Sequence, residues 1–109
     1  MKATAKKLDQ LRWLRKEIQR DEGRLAAMER EGQEKTALYR AVAEKKTLCE
    51  RKKAEAQKAI SSIDDSVSRM ALEMRYLDGW SWAHIAAEIG GGNTADGIRR
   101  RVMRQLKTK

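Results

Sequence analysis

The stretch from Asp78 to Lys109, DGWSWAHIAAEIGGGNTADGIRRRVMRQLKTK, decides the fold, and it divides at three consecutive glycines, Gly90 to Gly92. Before them, Ser81 stands where a hydroxyl can cap a helix start. Trp82, Ile85, Ala86 and Ile89 follow at the three- and four-residue steps that place them on one stripe. The glycines accept left-handed backbone angles that other residues take only at a cost, so the chain can stop and turn there. Asn93 or Thr94 restarts it, and Asp96 suits the positive end of the new helix dipole. The second helix, expected from about Thr94 to Lys107, sets Ala95, Ile98, Val102 and Leu106 along one side. Asp96, Arg100, Met103, Arg104 and Lys107 fall opposite, with Arg99 and Arg101 on the flanks.

Upstream, Ser61-Ser62-Ile63-Asp64-Asp65-Ser66 offers several helix caps in a row. The spacing predicts a helix from about Asp65 to Leu77 with Val67, Met70, Ala71, Met74 and Leu77 on its inner face, closed by Gly79. Residues 63–109 thus read as a three-helix unit of helix-turn-helix type. Residues 1–62 read as a helical arm. Leu11, Leu14, Ile18, Leu25 and Met28 occupy heptad seam positions on a helix from about Thr4 to Arg30, with Asp21 on one of those sites and Trp13 off the seam. Gly32 marks a turn. A second helix, about Lys35 to Ser61, carries Leu38, Val42, Cys49, Ala56 and Ile63, but Lys45 and Lys52 stand where a coiled coil wants leucine. Such helices fold back as a hairpin or pair with another chain. The seam is thin, so pairing into a homodimer is the expectation.

Composition agrees with an all-α chain. Proline is absent from the 109 residues, phenylalanine too, and no run alternates apolar and polar residues as a strand would. The one cysteine, Cys49, cannot form an internal disulfide; no signal peptide and no membrane-spanning run is present, so a cytoplasmic location is expected. The net charge of +9 points to a polyanion or an acidic partner. That charge is unevenly placed. Residues 61–96 hold two basic and six acidic side chains, whereas Gly97 to Lys109 hold six basic and no acidic ones. A helix glued down on one side and cationic on the other fits the major groove of double-stranded DNA.

The run Arg75-Tyr76-Leu77-Asp78-Gly79-Trp80-Ser81-Trp82, then Ile85-Ala86 and Gly91-Gly92-Asn93-Thr94, resembles the C-terminal part of small phage regulators of the RinA and ArpU type. More distantly it is similar to region four of bacterial sigma factors, although the segment from Gly90 to Ile98 is longer than the usual sigma-type turn. The likeness covers about Ser66 to Leu106. It implies a helix-turn-helix that binds promoter DNA, beside RNA polymerase, with activation favoured over repression.

Asn93, Thr94, Asp96, Arg99, Arg100, Arg101, Arg104 and Lys107 are the candidate DNA-binding residues. Arg100 and Arg104, the most outward, are placed for base edges, since a guanidinium matches the two acceptors of guanine. Arg99, Arg101 and Lys107 are placed for phosphate. Asp96 could accept from a cytosine amino group, though stabilising its own helix start is the plainer role. No catalytic or metal set emerges: His84 has no second ligand, Asp64-Asp65 reads as capping, and the glycine run lacks the Gly-Lys-Ser/Thr of a phosphate loop. No cofactor is expected. Two rivals remain. A phage terminase small subunit also joins such a unit to an oligomerising coil, but usually with the DNA reader first. A basic helical interaction protein would act on an acidic surface, such as that of RNA polymerase, without touching DNA.

Overall fold

The computed structural model describes residues 4–107, which form five α-helices and one π turn, with no strand among the described residues. The order is α1 (Ala5–Glu31), α2 (Thr36–Ser61), α3 (Ser66–Leu72) running into a π turn (Glu73–Leu77), α4 (Trp82–Ile89) and α5 (Ala95–Lys107). Among the described residues no helix is long and apolar enough to cross a membrane.

The Thr4 hydroxyl caps α1 by accepting from the Lys7 N–H at 3.1 Å. The helix ends at Gly32, where the chain reverses and Lys35 pairs with Glu29 at 2.8 Å across the turn. α2 then runs back along α1. Buried Leu8, Leu11, Ile18 and Leu25 lie on one seam, and Val42, Cys49, Ala56 and Ile60 on the other. Burial pushes the Cys49 thiol above its ordinary pKa.

This hairpin corrects the ground on which pairing with a second chain was expected, because the seam residues are covered within one chain. The two seam anomalies explain each other. The Asp21 side chain, only 4% exposed, accepts from the Lys45 ammonium at 2.6 Å, and Glu17 reaches the same ammonium at 3.4 Å. The hydrogen bond from Lys45 holds the Asp21 carboxyl below its usual pKa against the pull of burial. A buried carboxylate opposite a lysine specifies one register of the hairpin, since any slip would leave it unpaired.

α3 departs from the predicted face. Ser68, Ala71 and Leu72 are buried while Met70 is exposed, and Tyr76 rather than Met74 or Leu77 is shut away. Counting apolar residues passes over Ser68, yet its hydroxyl donates to Asp65 at 2.6 Å and so can be buried without an orphan donor. The π turn, with the Asp78 N–H reaching back five residues to the Glu73 carbonyl, widens the helix and rotates Tyr76 inward. Tyr76 meets Trp82 edge to face with ring centroids 6.5 Å apart and donates to Asp9 of α1 at 3.3 Å. Desolvation first, and then the Asp9 charge, push its phenol up to about 12. The Arg15 guanidinium donates to the carbonyls of Tyr76 and Leu77, which the turn leaves free. One core therefore runs from Leu8 and Leu11 through Ile63, Leu72 and Tyr76 to Ile85, Ile98 and Val102.

Candidate nucleic-acid interface

α4 and α5 form the pair anticipated from sequence. The Ser81 hydroxyl accepts from the His84 N–H at 3.1 Å and caps α4, whose Ile85 and Ala86 are buried. Trp80 and Trp82 are both half-buried, the first stacked on exposed His84 with centroids 3.9 Å apart. Gly90, Gly91 and Gly92 take φ of 71°, 66° and 77°, the left-handed region in which a β-carbon would be strained. The Asn93 side chain closes the turn by donating to the Gly90 carbonyl at 2.7 Å. The Thr94 hydroxyl caps α5, accepting from the Gly97 N–H at 3.0 Å. A β-carbon on Gly97 would lie 3.0 Å from that hydroxyl, which accounts for a glycine inside the first turn.

Ile98, Val102 and Leu106 fasten α5 to the core, and Met103, expected on the outer face, is half-buried against it. Arg99, Arg100 and Met103 with Arg104 line a shallow groove of about 300 Å³ on the open side. Arg100 has 73% of its side chain exposed. Asp96 accepts from Arg99 at 3.1 Å and from Arg100 at 3.0 Å, the neighbours three and four positions along. All three side chains are exposed, so water weakens these pairs and leaves the guanidiniums exchangeable. Arg104 is exposed and, among the described residues, has no hydrogen-bond or ion-pair partner.

Arg101 does not join them. Its Nε and one terminal nitrogen grip Asp65 of α3 at 2.9 and 2.8 Å, a two-pronged bond that ties α5 to the start of α3. Arg101 first, and Ser68 second, hold the Asp65 carboxyl far below the usual carboxylate range. Arg101, placed for phosphate on its sequence position, is thereby corrected to a strut: it lies on the flank facing α3, where a carboxylate waits. Lys107 ends α5, and its side chain lies outside the described residues. Of the eight candidates, Asp96, Arg99, Arg100 and Arg104 share one open face. Asn93 and Thr94 shape the turn and the helix start.

Two basic features elsewhere escaped the reading of the sequence. On the hairpin, Trp13 is 55% exposed, with Leu14, Leu48, Lys16, Arg20 and Lys52 around an open groove. At the junction of hairpin and π turn, Arg12, Arg15, Lys16 and Arg75 line a smaller cleft. These residues lie in separate segments, and only the turn at Gly32 and the docking of Tyr76 bring them together.

No family model, curated protein or solved structure matches this chain.

Proposed function

We propose that this chain is a sequence-specific DNA-binding regulator that lays α5 in the major groove of double-stranded DNA, with α4 crossing the backbone as the first helix of a helix-turn-helix. The observation that carries it is the open face of Arg99, Arg100 and Arg104, backed by Ile98, Val102 and Leu106. In this reading Arg100 and Arg104 address base edges, Arg99 addresses phosphate, and Asp96 releases both neighbours when phosphate replaces it. The resemblance to phage regulators of the RinA and ArpU type supports the reading and favours activation. The proposal includes a homodimer formed through the outer side of the hairpin, where Trp13 and Leu48 are exposed.

Selection of preferred duplexes from a random pool tests it directly. An enriched motif, repeated about one helical turn apart, is expected of a dimeric reader. Recovery of no motif at low salt would sink the reading. Light scattering at micromolar concentration decides the dimer.

A second reading is favoured by the hairpin groove: Trp13 and Leu48 rimmed by Lys16, Arg20 and Lys52 would suit an acidic helix on a protein such as RNA polymerase. Duplex binding that is absent at low salt, with retention of an acidic partner, selects it.

A further inference from the structure

The cleft between α1 and the π turn has a volume of about 170 Å³ and is lined by Arg12, Arg15, Lys16, Gln19 and Arg75 together with Tyr76, Asp78 and Gly79. Four cations thus outnumber two carboxylates, Asp78 in the lining and Asp9, which accepts from the Tyr76 hydroxyl and whose charge acts on Arg75. Two of the guanidiniums carry a buried Nε with no acceptor, Arg12 and Arg75. A donor shut away from water without a partner is costly, and a charged one more so. Arg75 has one terminal nitrogen on the Trp80 carbonyl at 3.1 Å and lies over the Trp82 ring at 5.0 Å. The Arg12 guanidinium lies over the face of Trp13, at 5.6 Å, and among the described residues has no hydrogen bond or ion pair. Burial first, and the Arg12 charge second, pull Arg75 below the ordinary guanidinium range, so the two positive groups oppose each other across the cleft.

Four positive groups against two carboxylates, with two donors unfilled, describe a site short of negative charge. We propose that this cleft binds a phosphate group, held by Arg12 and Arg75 with Lys16 at the rim. Guanidinium forks match the paired oxygens of phosphate, and a cleft of this size, at about 30 Å³ per water, holds a tetrahedral oxyanion and part of its hydration. The cleft reaches Asp78 and Gly79, where the chain turns toward α4. In helix-turn-helix docking that helix crosses the nucleic-acid backbone, so a DNA phosphodiester is the favoured source, free phosphate the other. The first source rests on the function proposed above; the second does not.

The test uses the full chain and two variants, Arg12→Gln and Lys16→Gln. Arg12→Gln removes one of two repelling charges and no hydrogen bond, so the fold should hold. Thermal unfolding in inorganic phosphate, against chloride at equal ionic strength, is expected to rise by several degrees for the unaltered protein, and to lose that rise in Arg12→Gln. In parallel, binding to a random duplex is followed over increasing salt. A log-log slope shallower by about 0.9 in Arg12→Gln assigns the site to the DNA backbone, because one phosphate contact has gone. A phosphate effect with an unchanged slope assigns it to a free oxyanion. Lys16→Gln should weaken the same readout less. The proposal is overturned when phosphate stabilises no better than chloride and Arg12→Gln leaves the slope as it was. If no duplex binds, the regulator reading falls and the phosphate titration alone decides the cleft.

Discussion

Arg101 and Arg104 sit three positions apart on one helix, and replacing each with Gln should have opposite consequences. Arg104 is exposed and has no partner among the described residues, so Arg104→Gln removes nothing the fold uses. The thermal midpoint should stay where it was. If the side chain addresses a guanine, the selected duplex loses about 1–3 kcal/mol, roughly 5- to 150-fold in affinity, while a random duplex changes little. Arg101 holds Asp65 by two hydrogen bonds at 2.9 and 2.8 Å, and Arg101→Gln breaks the tie between α5 and α3. Stability should fall, whereas preference among duplexes should survive below the midpoint. Acid titration adds a second signature. The folded Asp65 pKa lies below its ordinary 3.8, so its share of stability is complete above that value and disappears as pH falls through the depressed one. In Arg101→Gln that acid loss should be smaller. Thermal unfolding from pH 7 down to pH 2 and fluorescence anisotropy with labelled duplexes measure both. A variant at Arg101 that keeps its midpoint but loses preference would refute the assignment, as would one at Arg104 that unfolds early.

Other substitutions probe the remaining parts. Asp96→Asn frees Arg99 and Arg100 from their shared carboxylate and should raise random-duplex affinity at low salt, read by the same anisotropy. Ile85→Ala empties a fully buried site and should cost about 2–5 kcal/mol in urea unfolding. Lys45→Ala leaves the Asp21 carboxylate buried without its partner and should destabilise the hairpin; Asp21→Leu with Lys45→Leu should recover the loss. Tyr76 has its phenol raised from 10.0 to about 12, so the unfolded chain ionises first and stability should decline as pH climbs through that interval. Tyr76→Phe should blunt this decline in midpoints measured up to pH 11.

Elements governed by local chemistry were legible in the sequence. The Ser81 and Thr94 caps, the glycine turn and the Ile98, Val102 and Leu106 stripe depend on neighbours within four positions, which a single sequence displays. The choice between a hairpin and pairing with another chain was not, because Asp21 and Lys45 look like flaws until they are seen opposite each other. The role of Arg101 was hidden for the same reason: periodicity places it on a flank but says nothing of the carboxylate 36 positions earlier. Tyr76 was passed over because the π turn shifts the helical phase at the residue it buries. The cleft of Arg12 and Arg75 unites residues 63 positions apart, and no motif marks it.

The continuous core also limits how the chain can be divided. Cutting near residue 62 would strip Leu8, Leu11 and Ile60 from the core they share with Leu72 and Tyr76, and take away the Arg15 bonds to the π turn. A transplanted C-terminal half would thus arrive with a greasy wound on its back. Conversely, the tip of the hairpin stands at the far end of a 27-residue rod about 40 Å long, whose base packs on the π turn, and α3, continuous with that turn, carries the arginine helix.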